Sequence, residues 1–181
     1  MSIYKLLSAP IGGLLLGALC AGGAQAQQPQ ASLLPPYASY AAKFVCGQGD
    51  DKDVVVGNYL TAINIHNPQS RVSLRFLKKF VLAKVQGQTP RGCIVQTFDT
   101  LGPDRALYVD CATIVAKMQG STACLPLPPL IEGFVVLQVQ PPAGQTTPLP
   151  LDVVGKYTAR PPGSAVSAMD IVVYHPTAIT Q

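Results

Sequence analysis

The sequence predicts an all-β protein: a disulfide-braced, antiparallel, immunoglobulin-like β-sandwich of seven to eight strands with at most one short helix. Short runs of β-branched and aromatic residues recur along the chain, as strands require. Turn-forming segments separate these runs, and the chain carries 17 prolines and 16 glycines. Four of its five cysteines lie beyond the N-terminal apolar segment.

The clearest strand ends at His66, after the run Tyr59-Leu-Thr-Ala-Ile-Asn-Ile. Pro68 ends it, because proline has no N–H to donate and disfavours helix at the residue before it. Alternate side chains of a strand point to opposite faces. We therefore expect Ile63 and Ile65 in the core, on the same face as Tyr59 and Thr61, and Asn64 on the other face.

The remaining elements follow from similar patterns. Alternation of apolar and polar residues over 72–76 predicts a strand, and its loss at Leu77-Lys78-Lys79 predicts a β-bulge, with a helix as the alternative. Asp110 is expected to cap a short helix over 112–118. Further strands are predicted at 41–46, 93–98, 105–111, 132–139, 151–159 and 168–174.

The N-terminus has the layout of a secretory signal peptide over residues 1–26: an early Lys5, an apolar run and a small-residue cleavage site at Ala26. A membrane anchor and a lipoprotein lipidated at Cys20 are the alternatives. Residues 27–40 are then a flexible arm, and 41–181 form a single domain. We expect a periplasmic or secreted protein with no transmembrane segment after cleavage.

An even number of cysteines in an exported chain predicts two disulfides. Cys46 and Cys111 both end apolar runs, so we pair them as a buried bridge. Cys93 and Cys124 both lie beside turn formers, so we pair them as a second, more exposed bridge. Closing that second loop contributes about 3–4 kcal/mol on a chain-entropy estimate. The spacing contains no Cys-x-x-Cys zinc motif.

Several segments resemble a group of small exported bacterial proteins of uncharacterised function. They are Val45-Cys46-Gly47, the strand from Gly57 to Pro68, Val109-Asp110-Cys111, Gly133-Phe134-Val135-Val136, and 151–159. The resemblance implies export and an immunoglobulin-like β-sandwich, and no activity. The strand ending in Asn-Pro is also similar to one in the sensory-rhodopsin-transducer β-sandwich, from which we take no function.

Residues for catalysis are sparse. His66 and His175 are the only histidines, and with Asp170 they are a candidate metal site, although zinc sites use three or four ligands. The acidic run Asp50-Asp51-Lys52-Asp53 lacks the later acid of a calcium loop. No Gly-x-Ser-x-Gly elbow occurs, and Glu132 is the only glutamate. An enzyme is therefore the less favoured interpretation, and we expect no cofactor.

The formal net charge is +4, and the one concentration of cations is Arg71, Arg75, Lys78 and Lys79. Nucleic-acid surfaces usually combine basic clusters with interleaved aromatics, and only the run from Arg75 to Lys79 comes close to this, so no nucleic-acid partner is expected. The concentration of cations predicts an interaction patch for an envelope protein or an anionic envelope polymer. Cations that guard an edge strand are the alternative explanation. The function predicted is a non-enzymatic interaction or structural module, with a metal-dependent enzyme or metal-binding protein using His66 and His175 as the alternative.

Overall fold

Nine strands and one α-helix make up most of the chain that the computed structural model describes, which is residues 37–50, 54–83, 93–165 and 167–179. The elements are β1 (Tyr37–Gly49), β2 (Gly57–His66), β3 (Leu74–Leu82), β4 (Ile94–Leu101), β5 (Ala106–Asp110), α1 (Cys111–Gln119), a 3₁₀ turn (Thr122–Cys124), β6 (Leu130–Val139), β7 (Asp152–Arg160), β8 (Ala168–Tyr174) and β9 (Thr177–Ile179).

The strands form one antiparallel sheet with the order β4-β3-β6-β1-β2-β7-β8. β5 pairs with β2, and β9 pairs with β1. The sheet is not closed, because β4 and β8 end this path. The all-β, antiparallel prediction is confirmed for the described residues, whereas an immunoglobulin-like arrangement is not confirmed.

Element bounds agree with the predicted ones to within about three residues, except at the two ends of the described chain. β1 begins at Tyr37, so residues 37–40, which we placed in the flexible arm, belong to a strand. β9 was missed: it pairs its Thr177–Ile179 with the start of β1. The helix is confirmed, and the side chain of Asp110 caps it by accepting from the backbone N–H of Thr113 at 2.8 Å.

β1 and β2 pair only at one end, and this divides the sheet. Their ladder joins Gly47–Gly49 to Gly57–Tyr59, and beyond it the strands separate. From Ala62 to His66, β2 pairs with β5 instead. Below we call β4-β3-β6-β1 the first half and β5-β2-β7-β8 the second half, and the place where β1 and β2 separate the seam.

Side-chain hydroxyls satisfy the backbone of β1 at the seam. Thr61 Oγ1 lies 2.9 Å from both Val45 N and Val45 O, so one hydroxyl accepts from the amide and donates to the carbonyl. Lys43 N donates to the Tyr174 hydroxyl at 3.2 Å, and the Tyr157 hydroxyl donates to Lys43 O at 2.6 Å. The two tyrosine hydroxyls contact each other. These side chains make the hydrogen bonds to β1 that a neighbouring strand would otherwise make, because backbone polar groups need partners.

One core receives side chains from both halves and from α1. The largest fully buried side chains come from β1, β2, β3, β5, β6 and the helix: Tyr40, Phe44, Ile63, Ile65, Leu74, Phe76, Phe80, Val109, Ile114, Met118, Val135 and Leu137. Within β2 the predicted faces are confirmed, because Ile63 and Ile65 are fully buried and Asn64 is exposed.

β3 contains no bulge at 77–79, so that prediction is wrong. Its pairing runs without interruption, from Leu74 to Val81 with β4 and from Phe76 to Leu82 with β6. Alternation of faces also continues. Leu77 points outward and Lys78 points inward, which is the reverse of what hydropathy alone indicates.

The cysteines form the two pairs expected from the sequence, Cys46–Cys111 and Cys93–Cys124, with Cα–Cα distances of 5.5 and 4.7 Å. The first ties β1 to the start of α1. The second pair is not the more exposed one, because all four cysteines are buried. Disulfides are typical of proteins from an oxidising compartment outside the cytoplasm.

Asn67 has a larger role than ending β2. It is fully buried, and its side-chain amide donates to the carbonyls of Val72, Leu101 and Gly102 at 2.8–3.0 Å. Its Oδ1 accepts from the backbone N–H of Gln69 at 3.1 Å. One amide thus joins the end of β2 to the turn before β3 and the turn after β4.

The predicted signal peptide, the lipidation alternative at Cys20, and the arm from 27 to 36 lie outside the described residues, as does Asp51–Asp53 of the acidic loop. Within the described part of the chain, no helix has the length and apolar character to cross a membrane.

The burial of β2 leads to a stability prediction. Ile63→Ala should lower the free energy of unfolding by about 2–5 kcal/mol, because it leaves a cavity in the core. Asn64→Ala, one residue along on the exposed face, should change it by less than about 0.5 kcal/mol. Thermal and denaturant unfolding with both disulfides intact measures the two. Equal shifts would contradict the assignment of faces.

The seam leads to a second stability prediction. Thr61→Val keeps the shape of the side chain but leaves the amide and carbonyl of Val45 without their partner, so it should cost about 1–3 kcal/mol. Thr61→Ser keeps the hydroxyl and should cost less. If urea denaturation finds the valine variant as stable as the serine variant, water replaces the hydroxyl at no cost.

Candidate functional site

The outward side of β4, β3 and β6 carries three large apolar side chains that are exposed. Phe98, Ile94 and Phe134 have 58%, 50% and 42% of their surface exposed. Cross-strand pairs place these side chains together: Ile94 lies opposite Val81 and Phe98 opposite Leu77, while Val81 is also opposite Phe134. We call this surface the amphiphilic face; its members are Arg75, Leu77, Lys79, Val81, Ile94, Phe98, Phe134 and Val136.

Two of the predicted patch cations belong to this face. Arg75 is exposed, and its guanidinium carbon lies 4.6 Å from the centre of the Phe98 ring, within cation–π range. Lys79 is half-buried between Gln96 on β4 and Val136 on β6, in the middle row of the face. On the neighbouring strand β1, Lys43 pairs with Glu132 at 3.2 Å, so that charge is offset.

The other two predicted patch residues do not join it. Arg71 is exposed, but it precedes β3 and lies in the loop after Pro68. Lys78 points inward with 5% of its surface exposed, and its Nζ lies 2.6 Å from Asp99 Oδ2. That oxygen has no hydrogen-bond partner by geometry, so the contact is an ion pair by distance only. Lys78 is therefore a buried structural cation and not a binding group.

His66, at the end of β2, lies between two carboxylates. Its Nδ1 is 3.0 Å from Asp152 Oδ2, and its Nε2 is 3.1 Å from Asp104 Oδ1. Asp104 has a φ of 50°, in the left-handed region that a non-glycine residue adopts only rarely. Hydrogen bonds to Asp152 first and Asp104 second raise the pKa of His66 above its usual value. The protonated ring can donate from both nitrogens.

His175 lies at the same end of the second half. It directly follows Tyr174, which pairs with Val153. Asp152, the residue before Val153, pairs with His66. Across the described ranges, however, no three His, Cys, Asp or Glu side chains are arranged to hold a metal ion. Asp170, the third residue of the candidate metal site, instead pairs with Tyr157. The structure thus brings the histidines to one end without assembling that metal site.

Comparison with known proteins adds little. No protein-family model matches the chain, and no curated protein matches it. A solved structure titled "Crystal Structure of Thermotoga maritima 1070" is similar with a TM-score of 0.37 and 9% sequence identity, over 80% of this chain and 95% of that one. A likeness this low carries no argument about fold or function.

Sequence reasoning missed both carboxylates around His66 and the apolar half of the amphiphilic face. Asp104 lies in a recognisable turn, but no sequence pattern shows that the turn reaches β2. The sequence places Phe98 and Ile94 in a strand but does not indicate which side of that strand faces the core. In the structure, alternation from Leu101, the buried last residue of β4, places Phe98 and Ile94 on the opposite side; the sequence places Leu101 in a turn, so it offers no such reference point.

The His66 cluster predicts a pH-dependent stability. Because the folded pKa is raised above the ordinary value of about 6.5, the contribution of His66 is fully present below that pH. It is lost as the pH rises through the raised folded pKa. The melting temperature of the wild type should therefore exceed that of His66→Gln by more at pH 5.5 than at pH 8.5.

The control is His175→Gln, which removes the other histidine at the same end of the sheet. A wild-type advantage over His66→Gln that stays constant across this pH range would contradict the assigned ion pairs.

Proposed function

We propose that this protein is a non-enzymatic, exported envelope protein that acts as an interaction module, and that the amphiphilic face is its binding surface. The observation that carries the proposal is the exposure of Phe98, Ile94 and Phe134 on one side of three adjacent strands, beside Arg75 and Lys79. Contiguous exposed apolar surface on a folded protein usually marks an interaction site. The disulfides support a location in the periplasm or outside the cell.

The charges of the face favour an anionic partner. Arg75 and Lys79 are its only ionisable members, and the chain as a whole has a formal net charge of +4. Complementary charge accelerates association and selects among partners. Stacking on Phe98 holds the guanidinium of Arg75 in place, so less side-chain freedom is lost on binding. An acidic envelope polymer with some apolar character fits this combination, and an envelope protein is the other outcome of the test.

The alternative, a metal-dependent activity that uses His66 and His175, has one favourable observation. Both histidines lie at the same end of the second half, next to Asp152. Against it, both nitrogens of His66 lie within hydrogen-bond distance of carboxylates, and a metal would need to displace one of them. Metal analysis of the purified protein separates the two functions: stoichiometric zinc that His66→Gln abolishes would favour the alternative.

Binding of an acidic polysaccharide tests the proposed surface. With polygalacturonate as the probe and neutral dextran as its comparison, the wild type should bind the acidic polymer, and binding should weaken as salt rises. Arg75→Gln combined with Lys79→Gln should reduce the affinity about 5–30-fold, if each cation contributes about 0.5–1 kcal/mol. Phe98→Ser should also weaken binding, because it removes both apolar surface and the support of Arg75.

Lys117→Gln combined with Lys156→Gln is the matched control, since it removes two exposed cations outside the amphiphilic face. Equal losses in the two double variants would mean that net charge, and not this surface, attracts the polymer. If the protein captures another protein and not the polymer, the amphiphilic face remains the proposed binding surface, and the partner is an envelope protein.

A further inference from the structure

A cavity of about 220 Å³ lies at the seam, on the second half of the sheet and away from the amphiphilic face. Nine residues line it: Val45, Tyr59, Leu60, Tyr157, Thr158, Ala159, Ala168, Met169 and Asp170. Eight of them are uncharged, and Asp170 supplies the one carboxylate. The lining comes from β1, β2, β7 and β8, so the space exists only because these strands meet here.

Strand register explains why the space is open. Tyr59, Ala159 and Ala168 lie side by side across β2, β7 and β8. The next row on the same side is Thr61, Tyr157 and Asp170. Two adjacent alanines therefore lie between larger neighbours. A methyl group fills little of the volume that a tyrosine or methionine occupies, so the alanine pair leaves a recess.

The tyrosine walls are fixed before any ligand arrives. The Tyr59 hydroxyl donates to Val55 O at 2.6 Å, and the Tyr157 hydroxyl donates to Lys43 O at the same distance. Gly155 leaves room for this arrangement, since a Cβ there would lie 3.0 Å from the Tyr157 hydroxyl and from the Tyr174 ring. Groups held in place by their own bonds lose little entropy when a ligand binds.

The electrostatics of the cavity favour a cation. Burial, followed by the hydrogen bond between the Tyr157 and Tyr174 hydroxyls, raises the pKa of Tyr157, so this phenol stays neutral. The Asp170 Oδ1 accepts from the N–H of Ile171 at 2.8 Å, and no described residue bonds its Oδ2. Aromatic rings attract cations through their faces, and a nearby carboxylate adds to this attraction.

We propose that this cavity binds a small organic cation: an ammonium group on an apolar body of about one aromatic ring. The apolar body occupies the recess over Ala159 and Ala168, and the ammonium group lies against Asp170. The volume sets the size class. An apolar cavity of about 150 Å³ holds a benzene molecule, whereas drug-sized ligands occupy roughly 300–1,000 Å³.

Three probes of one shape test this: benzylammonium, benzyl alcohol and benzoate. Titrations followed by amide and methyl NMR shifts should give affinities in the order benzylammonium, benzyl alcohol, benzoate. The shifts should be confined to the cavity, with Ala159, Ala168 and Met169 among the residues that respond. Equal affinity for benzoate and benzylammonium, shifts spread over the surface, or no binding of benzylammonium would overturn the proposal.

Two variants with matched controls locate the binding. Ala168→Leu fills the recess and should weaken benzylammonium binding at least tenfold, whereas Ala178→Leu, an exposed alanine on β9, should not. Asp170→Asn can keep the bond to Ile171, and at low salt it should weaken benzylammonium binding about two- to fivefold while leaving benzyl alcohol unchanged. Glu132→Gln removes a carboxylate from the other half and should have no effect.

Melting temperatures of the four variants show whether each one folds. If Ala168→Leu fails to fold, Asp170→Asn still decides the question, because it changes only an exposed side chain. Unchanged benzylammonium affinity in Asp170→Asn, or in a folded Ala168→Leu, would refute the site. Neither result bears on the amphiphilic face, which shares no residue with the cavity.

Discussion

The hydroxyl of Thr61 holds β1 at the edge opposite β6, where no strand pairs with Val45. It bonds both backbone groups of Val45 at 2.9 Å, a few residues beyond the point where the β1–β2 ladder ends. The disulfide between Cys46 and Cys111 joins the same region to α1, and Thr61 N lies 3.1 Å from Cys111 Sγ. Without these contacts, β1 would present unpaired amides inside the protein, which costs free energy comparable to lost hydrogen bonds.

Separation of β1 from β2 also produces the two surfaces with functional potential. It lets the two halves of the sheet enclose one core, so each half has an inner and an outer side. The outer side of the first half is the amphiphilic face. At the seam itself, Tyr59 walls one side of a cavity over two alanines, and Tyr157, whose hydroxyl donates to Lys43 O, walls another. A continuous ladder between β1 and β2 would leave no place for that cavity.

Lys78 shows that composition alone does not determine which cations belong to an exposed surface. On composition it belongs with Arg75 and Lys79, and the apolar Leu77 beside it indicates a break in alternation. In the structure, pairing with β4 and β6 continues through all of these residues, so strict alternation turns Lys78 inward. Asp99, two residues before the end of β4, lies close enough to pair with it. An inward cation becomes acceptable only when such a partner is present.

Local patterns were enough to determine eight of the nine strands, the helix cap at Asp110, the buried face of Ile63 and Ile65, and the pairing of the cysteines. Each depends on properties of neighbouring residues: side-chain branching, alternation, capping chemistry and the position of proline. Only the tertiary structure decided where β1 leaves β2, which side chains replace the missing strand, and that Asp104 and Asp152 enclose His66. These contacts join residues 16 to 131 positions apart in sequence, from Val45–Thr61 to Lys43–Tyr174. No local preference encodes them, because they depend on which strands become neighbours.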